Sequence, residues 1–233
     1  LRKIHPDTLM IKGDVTLENT KNKILRSLNE NIDFIIASPP CQGLSMAGLN
    51  RNNKQFINDH RNNLILDVIF FIKKLSPSFV LIENVPSLLK LELPYKNTKK
   101  NIIEILQENL KNNYQILFEV VDMSDYGIPQ KRTRAIIKIF KKNINWPNPI
   151  KSKLLTVRDA IGHLPSLESG QCSEIPFHYA RKHTKDHIEI MQHTPTGASA
   201  FDNEVYYPKK NGISIKGFNS SYRRIKWDAP APT

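Results

Sequence analysis

The chain has 233 residues, 39% of them hydrophobic and 24% charged, an ordinary globular composition with enough apolar material for a core. Its 34 Lys+Arg against 22 Asp+Glu give a net charge of +12, which favours phosphate backbones or acidic surfaces as partners. The most apolar run, 64–72, is broken by Asp67 and is too short for a membrane span. Two distant cysteines, Cys41 and Cys172, form neither a disulfide framework nor a metal quartet, so a reducing, intracellular setting is expected.

In chain order, residues 8–12 read as a short strand ending in Gly13-Asp14, and 21–29 as a helix. The compact apolar run 33–37 stops at Ser38-Pro39-Pro40 and reads as a buried strand entering a rigid turn. A polar, Asn-rich loop covers 43–60, and an apolar helix covers 64–74. Residues 79–82 form a second buried strand, which ends at Glu83-Asn84-Val85-Pro86. Helical spacing marks 101–110, and 114–121 and 135–140 are strands flanking a polar turn that holds Gln130. Strands alternating with helices predict an open parallel α/β sheet, in which ligands sit beyond the carboxyl ends of the strands. Asp14, Cys41 and Glu83 each follow a predicted strand end, so one shared crevice is expected.

Composition changes near Trp146, after which most of the Pro, Gly and His residues occur with little periodicity. This divides the chain into 1–148, an irregular domain at 149–224, and a closing segment at 225–233. The basic runs 96–100 and 138–142 read as solvated faces.

Three features can carry chemistry. Cys41 follows a double proline at a strand end, where a side chain faces a crevice; its thiol would need positive charge or helix-end amides nearby to act as a nucleophile. Glu83, flanked by apolar segments, would be partly desolvated and able to carry a proton. Arg132 and Arg134, two apart on entering a strand, would aim two guanidinium forks from one face at carboxylate, carbonyl or phosphate oxygens.

The order and spacing of these features resemble the 5-cytosine DNA methyltransferases. SPPCQG looks like the catalytic Pro-Cys motif, FVLIENV the glutamate motif, and YGIPQKRTRAI the Gln-x-Arg-x-Arg motif. KGDVT resembles the Gly-Asp cofactor segment, and RRIKWDAPAPT the start of the motif after the target recognition domain. The resemblance implies a Rossmann-like S-adenosylmethionine-dependent methyltransferase sheet, incomplete here, with a smaller irregular target recognition domain at 149–224. It also implies methylation of carbon 5 of a flipped-out cytosine in double-stranded DNA through a covalent Cys41 adduct.

By the same resemblance, Glu83 contacts ring nitrogen 3 and the exocyclic amine, Arg134 holds the base carbonyl, and Arg132 orients the site. Asp14, Pro40 and Leu64 would contact the cofactor, and Gln42, Ser45, Arg61 and Gln130 the DNA. The loop Thr194-Pro195-Thr196-Gly197 is a candidate reading loop. Small prokaryotic relatives suggest a restriction–modification setting in the cytoplasm, at the nucleoid.

The sequence departs from the family pattern in lacking a Phe-x-Gly-x-Gly segment before Gly13 and in stopping at Pro232-Thr233 before a final motif. The expectation is a fragment of an active enzyme that binds cofactor poorly alone. The alternatives are one subunit of a split enzyme, completed by a second polypeptide, or a remnant. Competing readings are an exocyclic-amine methyltransferase, which shares Ser-Pro-Pro but places an aromatic where Cys41 stands; a tRNA cytosine methyltransferase, which lacks a large recognition domain; and a non-catalytic DNA-binding subunit.

Overall fold

A computed structural model describes residues 6–28, 31–40, 63–215, 217 and 222–233. The chain divides into two compact units, residues 1–121 with 133–149, and residues 122–132 with 150–233.

In the first unit, α1 (Glu18–Arg26) is followed by β1 (Phe34–Ala37), α2 (Leu64–Leu75) and β2 (Phe79–Asn84). A 3-10 turn at Pro86–Lys90 leads into a hairpin, β3 (Glu92–Tyr95) and β4 (Thr98–Asn101), then α3 (Ile102–Leu110), β5 (Tyr114–Asp122) and β6 (Thr133–Lys141). The main sheet has the order β1-β2-β6-β5. β1 and β2 run parallel, joined through α2, whereas β2 and β6 run antiparallel. The sheet is therefore mixed, not all parallel as expected. β5 and β6 are joined by the ten residues 123–132, and a parallel pair needs a crossover of a dozen or more.

The core lies where α2 and α3 cover the sheet. Ile65, Ile69 and Ile72 recur at helical spacing on α2, and Ile102, Ile105 and Leu106 face them from α3. β2 contributes Val80 and Ile82, and β6 contributes Ile137 and Ile139, by the two-residue alternation of strands. α3 starts at a capping box: Asn101 accepts from the Glu104 backbone N–H, and Glu104 accepts from that of Asn101.

Several expectations shift. Residues 8–12 form no strand, because their backbone joins no ladder and an isolated extended segment has nothing to satisfy it. Asp14 therefore does not follow a strand end. The first helix begins and ends three residues earlier than its apolar pattern suggested. The basic run at 96–100 is a hairpin: Lys96 and Asn97 adopt φ of 46° and 65°, the left-handed pair of a tight two-residue turn.

The second unit is mostly turns, as its sequence suggested. It holds α4 (Val157–Ile161), capped by Thr156 and Asp159, α5 (Lys185–Gln192), and a small hairpin of β7 (Lys209–Lys210) with β8 (Ile213–Ser214). Its closing segment is strapped in place. The Ala229 and Trp227 carbonyls accept from Val157 and Arg158, and Lys131 donates to the Ala231 carbonyl. The Thr194–Gly197 loop is held from the other side, since Gly197 donates to the Arg224 carbonyl at 2.7 Å and Arg224 Nη1 to that of Thr194 at 3.1 Å. Thr194 itself is buried.

Candidate active site

The parallel register of β1 on β2 pairs Ala37 with Ile82. Carried one residue further, it brings Ser38 beside Glu83, and one further still, Pro39 beside Asn84. The side chains use both positions. Ser38 Oγ donates to Glu83 Oε2 at 2.7 Å. Asn84 Nδ2 donates to the Pro39 carbonyl at 2.9 Å, while Asn84 Oδ1 accepts from the Val85 N–H at 2.8 Å.

From the opposite neighbour, β6, Ile136 pairs with Glu83. Arg134 lies two residues along, on the same face and diagonal to Glu83, within reach of a long side chain. Its Nε sits 2.9 Å from Glu83 Oε1, and its Nη1 donates to the Thr133 carbonyl at 2.8 Å. Both carboxylate oxygens are thus engaged, one by a hydroxyl and one by a guanidinium. Glu83 occupies the last turn of the pleat in β2, not a position beyond it. Its side chain is 30% exposed, so it is partly desolvated as expected, and its direct partners are polar.

The same 38–40 turn forms one wall of a cleft of about 280 Å³. Val15, Pro39, Pro40, Leu64, Val68 and Phe71 make it largely apolar. Asp67 adds a carboxylate at its edge, paired with Lys21 at 2.7 Å. Next to Val15, the Asp14 Oδ1 accepts from the Thr16 N–H at 2.9 Å and the Thr16 hydroxyl at 2.8 Å. An apolar slot with a carboxylate at its edge suits a flat, largely apolar ring that carries a donor.

The other predicted residues fall elsewhere. Cys41, Gln42, Ser45 and Arg61 lie outside the described residues, as does the loop 43–60. β6 begins at Thr133, so Arg132 precedes the strand, and the expected alternation of Arg132 with Arg134 along one strand face does not apply. Arg132 belongs to the second unit, where its N–H donates to Asp122 Oδ1 at 3.2 Å. The Ser124 backbone N–H, its hydroxyl and the Arg132 N–H together hold the Asp122 carboxyl below the usual carboxylate range. Gln130 bridges to Ala231 in the same unit.

Three contributors escaped the sequence reading: Ser38, Asn84 and Val15. The alternation of β2 puts Asn84 on the buried face with Val80 and Ile82. A buried amide needs partners, and that was a legible signal. Ser38 depends on strand register, which one sequence does not display.

The sequence model of C-5 cytosine-specific DNA methylases matches residues 1–233, the whole chain. The chain belongs to the C-5 cytosine-specific DNA methylase family. Among its relatives, the type II methyltransferase M1.HgaI of Avibacterium volantium is 52% identical over 234 residues, which cover all of this chain and 66% of that protein. The type II methyltransferase M1.HphI of Haemophilus parahaemolyticus is 34% identical over 84% of this chain and 52% of its own length. A solved E. coli prophage protein assigned as a DNA modification methyltransferase superposes with a TM-score of 0.52 at 27% identity, covering 80% of this chain and 51% of that one. The chain thus spans between about half and two thirds of the length of these methylases.

Proposed function

We propose that this chain carries the catalytic and target-recognition parts of a DNA cytosine-5 methyltransferase of the restriction–modification type, acting on double-stranded DNA with S-adenosylmethionine. One observation carries the reading: the Ser38–Pro40 turn that leads directly to Cys41 is shared by the Glu83–Arg134 pair and by the adenosyl-sized cleft. A carboxylate with fixed partners and a slot for a methyl donor thereby share the turn that immediately precedes Cys41 in the sequence.

Val15, Pro40 and Leu64 would pack against the adenine, and Asp14 would accept from its amine. When bound, S-adenosylmethionine supplies an electrophilic methyl group. The residues of the chain prepare the base. The Cys41 thiolate adds to carbon 6 of a flipped-out cytosine, which makes carbon 5 nucleophilic. Glu83 contacts ring nitrogen 3 and the exocyclic amine, balancing charge as the adduct forms. Arg134 holds Glu83 in place and reaches the base carbonyl; Arg132 orients the site. A base then removes the proton from carbon 5, the ring expels the cysteine, and the thiolate is restored. Gln42, Ser45, Arg61 and Gln130 contact the DNA, and the second unit selects the target sequence.

Duplex DNA substituted with 5-fluorocytosine tests this reading, because fluorine blocks the final elimination and leaves the protein bound. A denaturation-stable complex that needs S-adenosylmethionine and disappears in Cys41→Ser is expected. A Cys41→Ser variant that still methylates DNA would overturn it.

A further inference from the structure

Residues 168–183 of the second unit form a narrow two-stranded finger. Ala180 N–H donates to the Gln171 carbonyl at 2.8 Å and Ser173 N–H to the His178 carbonyl at 3.1 Å, with Cys172 and Tyr179 bridged between them. At its base, His183 N–H donates to Ser169 Oγ at 2.8 Å. At its tip, Ser173 Oγ accepts the Ile175 N–H and sits 2.8 Å from His178 Nδ1, while His178 N–H donates to the Ile175 carbonyl at 3.1 Å. The finger is thus cross-linked from base to tip.

Phe177 stands at that tip with 97% of its surface exposed and φ of 64°. Left-handed backbone is unfavourable for a bulky aromatic residue, and persists only where surrounding bonds enforce it. An isolated Phe ring also loses by facing water. Both penalties are set at one residue, between the exposed side chains of Ile175 and Tyr179. Behind the tip, the returning strand carries Arg181 and Lys182, with Lys185 just beyond it, all exposed; the finger also holds Glu168 and Glu174, both exposed, so its cations are gathered on one strand.

We propose that this finger is a DNA-contacting element: the Phe177 ring stacks on bases of the duplex while Arg181 and Lys182 hold neighbouring phosphates. The inference rests on the reading of the chain as a DNA methyltransferase and adds a specific contact to it. A rigid aromatic tip beside a strand that carries two cations matches the two faces of nucleic acid, stacked rings and charged backbone.

The test uses the full polypeptide and fluorescent duplex DNA of mixed sequence, with binding followed by anisotropy across a salt series. Phe177→Ala is expected to weaken binding by about tenfold or more without changing the salt slope, and Phe177→Trp to retain it. Arg181→Ala and Lys182→Ala should each lower the slope of log affinity against log salt by about one. Phe177→Gly relieves the left-handed backbone, so its Tm should hold or rise while its affinity falls. Wild-type affinity in Phe177→Ala would overturn the proposal. So would a lowered Tm in Phe177→Gly, the mark of a ring packed against protein, or a wild-type protein that does not bind the duplex. Trapping on 5-fluorocytosine DNA separates the two readings: finger-dependent binding without any trapped complex would remove the catalytic assignment and leave the finger standing.

Discussion

Asn84 and Pro39, 45 residues apart in the chain, are joined by a 2.9 Å hydrogen bond from the Asn84 amide to the Pro39 carbonyl. The same amide turns its oxygen to the Val85 N–H, so one buried side chain fixes the exits of two parallel strands at once. Neither Pro39 nor Pro40 has an N–H of its own, which leaves this turn few other ways to be anchored.

Asn84→Ala should therefore remove the partner of an enclosed carbonyl and N–H, costing about 1–3 kcal/mol in urea denaturation. Trapping on 5-fluorocytosine DNA should fall further than the stability loss alone explains. A variant with unchanged stability would show that solvent replaces the amide.

Arg134→Lys keeps a positive charge but loses the planar fork that reaches Glu83 from β6 while donating to Thr133. Because the pair is partly exposed, stability should change by no more than about 1 kcal/mol. Methyl transfer should drop at least tenfold (about 1.4 kcal/mol in the barrier). Equal activity in initial-rate assays would mean that charge alone suffices.

Glu108 receives hydrogen bonds from Lys100 and Lys96, which pull its carboxyl down to about 2. A carboxyl lowered in the folded state binds its proton less readily there than in the unfolded chain. Its contribution to stability is therefore present at neutral pH and fades as pH falls from about 4.5 towards 2. Glu108→Gln should be less stable than wild type near neutrality, with the two Tm values converging in acid. High salt should also shrink the difference, since the pair is solvent-facing. A gap that is constant across pH would exclude the ion pairs as its source.

Asn101→Ala removes one half of the capping box of α3 and should cost about 1 kcal/mol, read as a shift in the denaturation midpoint at unchanged slope. Asn101→Ser or Asn101→Asp should recover most of the loss.

Much of the site was legible because its chemistry is local. The apolar runs of β1 and β2 announce strands, but only β2 is buried as expected, whereas β1 leaves Phe34 and Ile36 exposed; the residues that end them, Ser38-Pro39-Pro40 and Glu83-Asn84, stand at the carboxyl ends of the strands, where side chains can meet a ligand. The segment 8–12 misled for the converse reason: its composition suits a strand, but a strand exists only with a neighbour to bond. The finger at 168–183 left no periodic trace, because it is held by turns and side-chain bonds, not by an apolar stripe.

The sequence by itself determined most of the helices and the strands of the main sheet, the family motifs and the identity of the groups at the strand ends, all of which depend on residues close together in the chain. The parallel run of β2 beside β1 was expected from the alternation of strands and helices, whereas the tertiary structure alone decided that β2 runs antiparallel to β6. Register and strand direction arise from contacts between distant segments, and these put Ser38 and Arg134 on the two oxygens of Glu83 and Asn84 beneath Pro39.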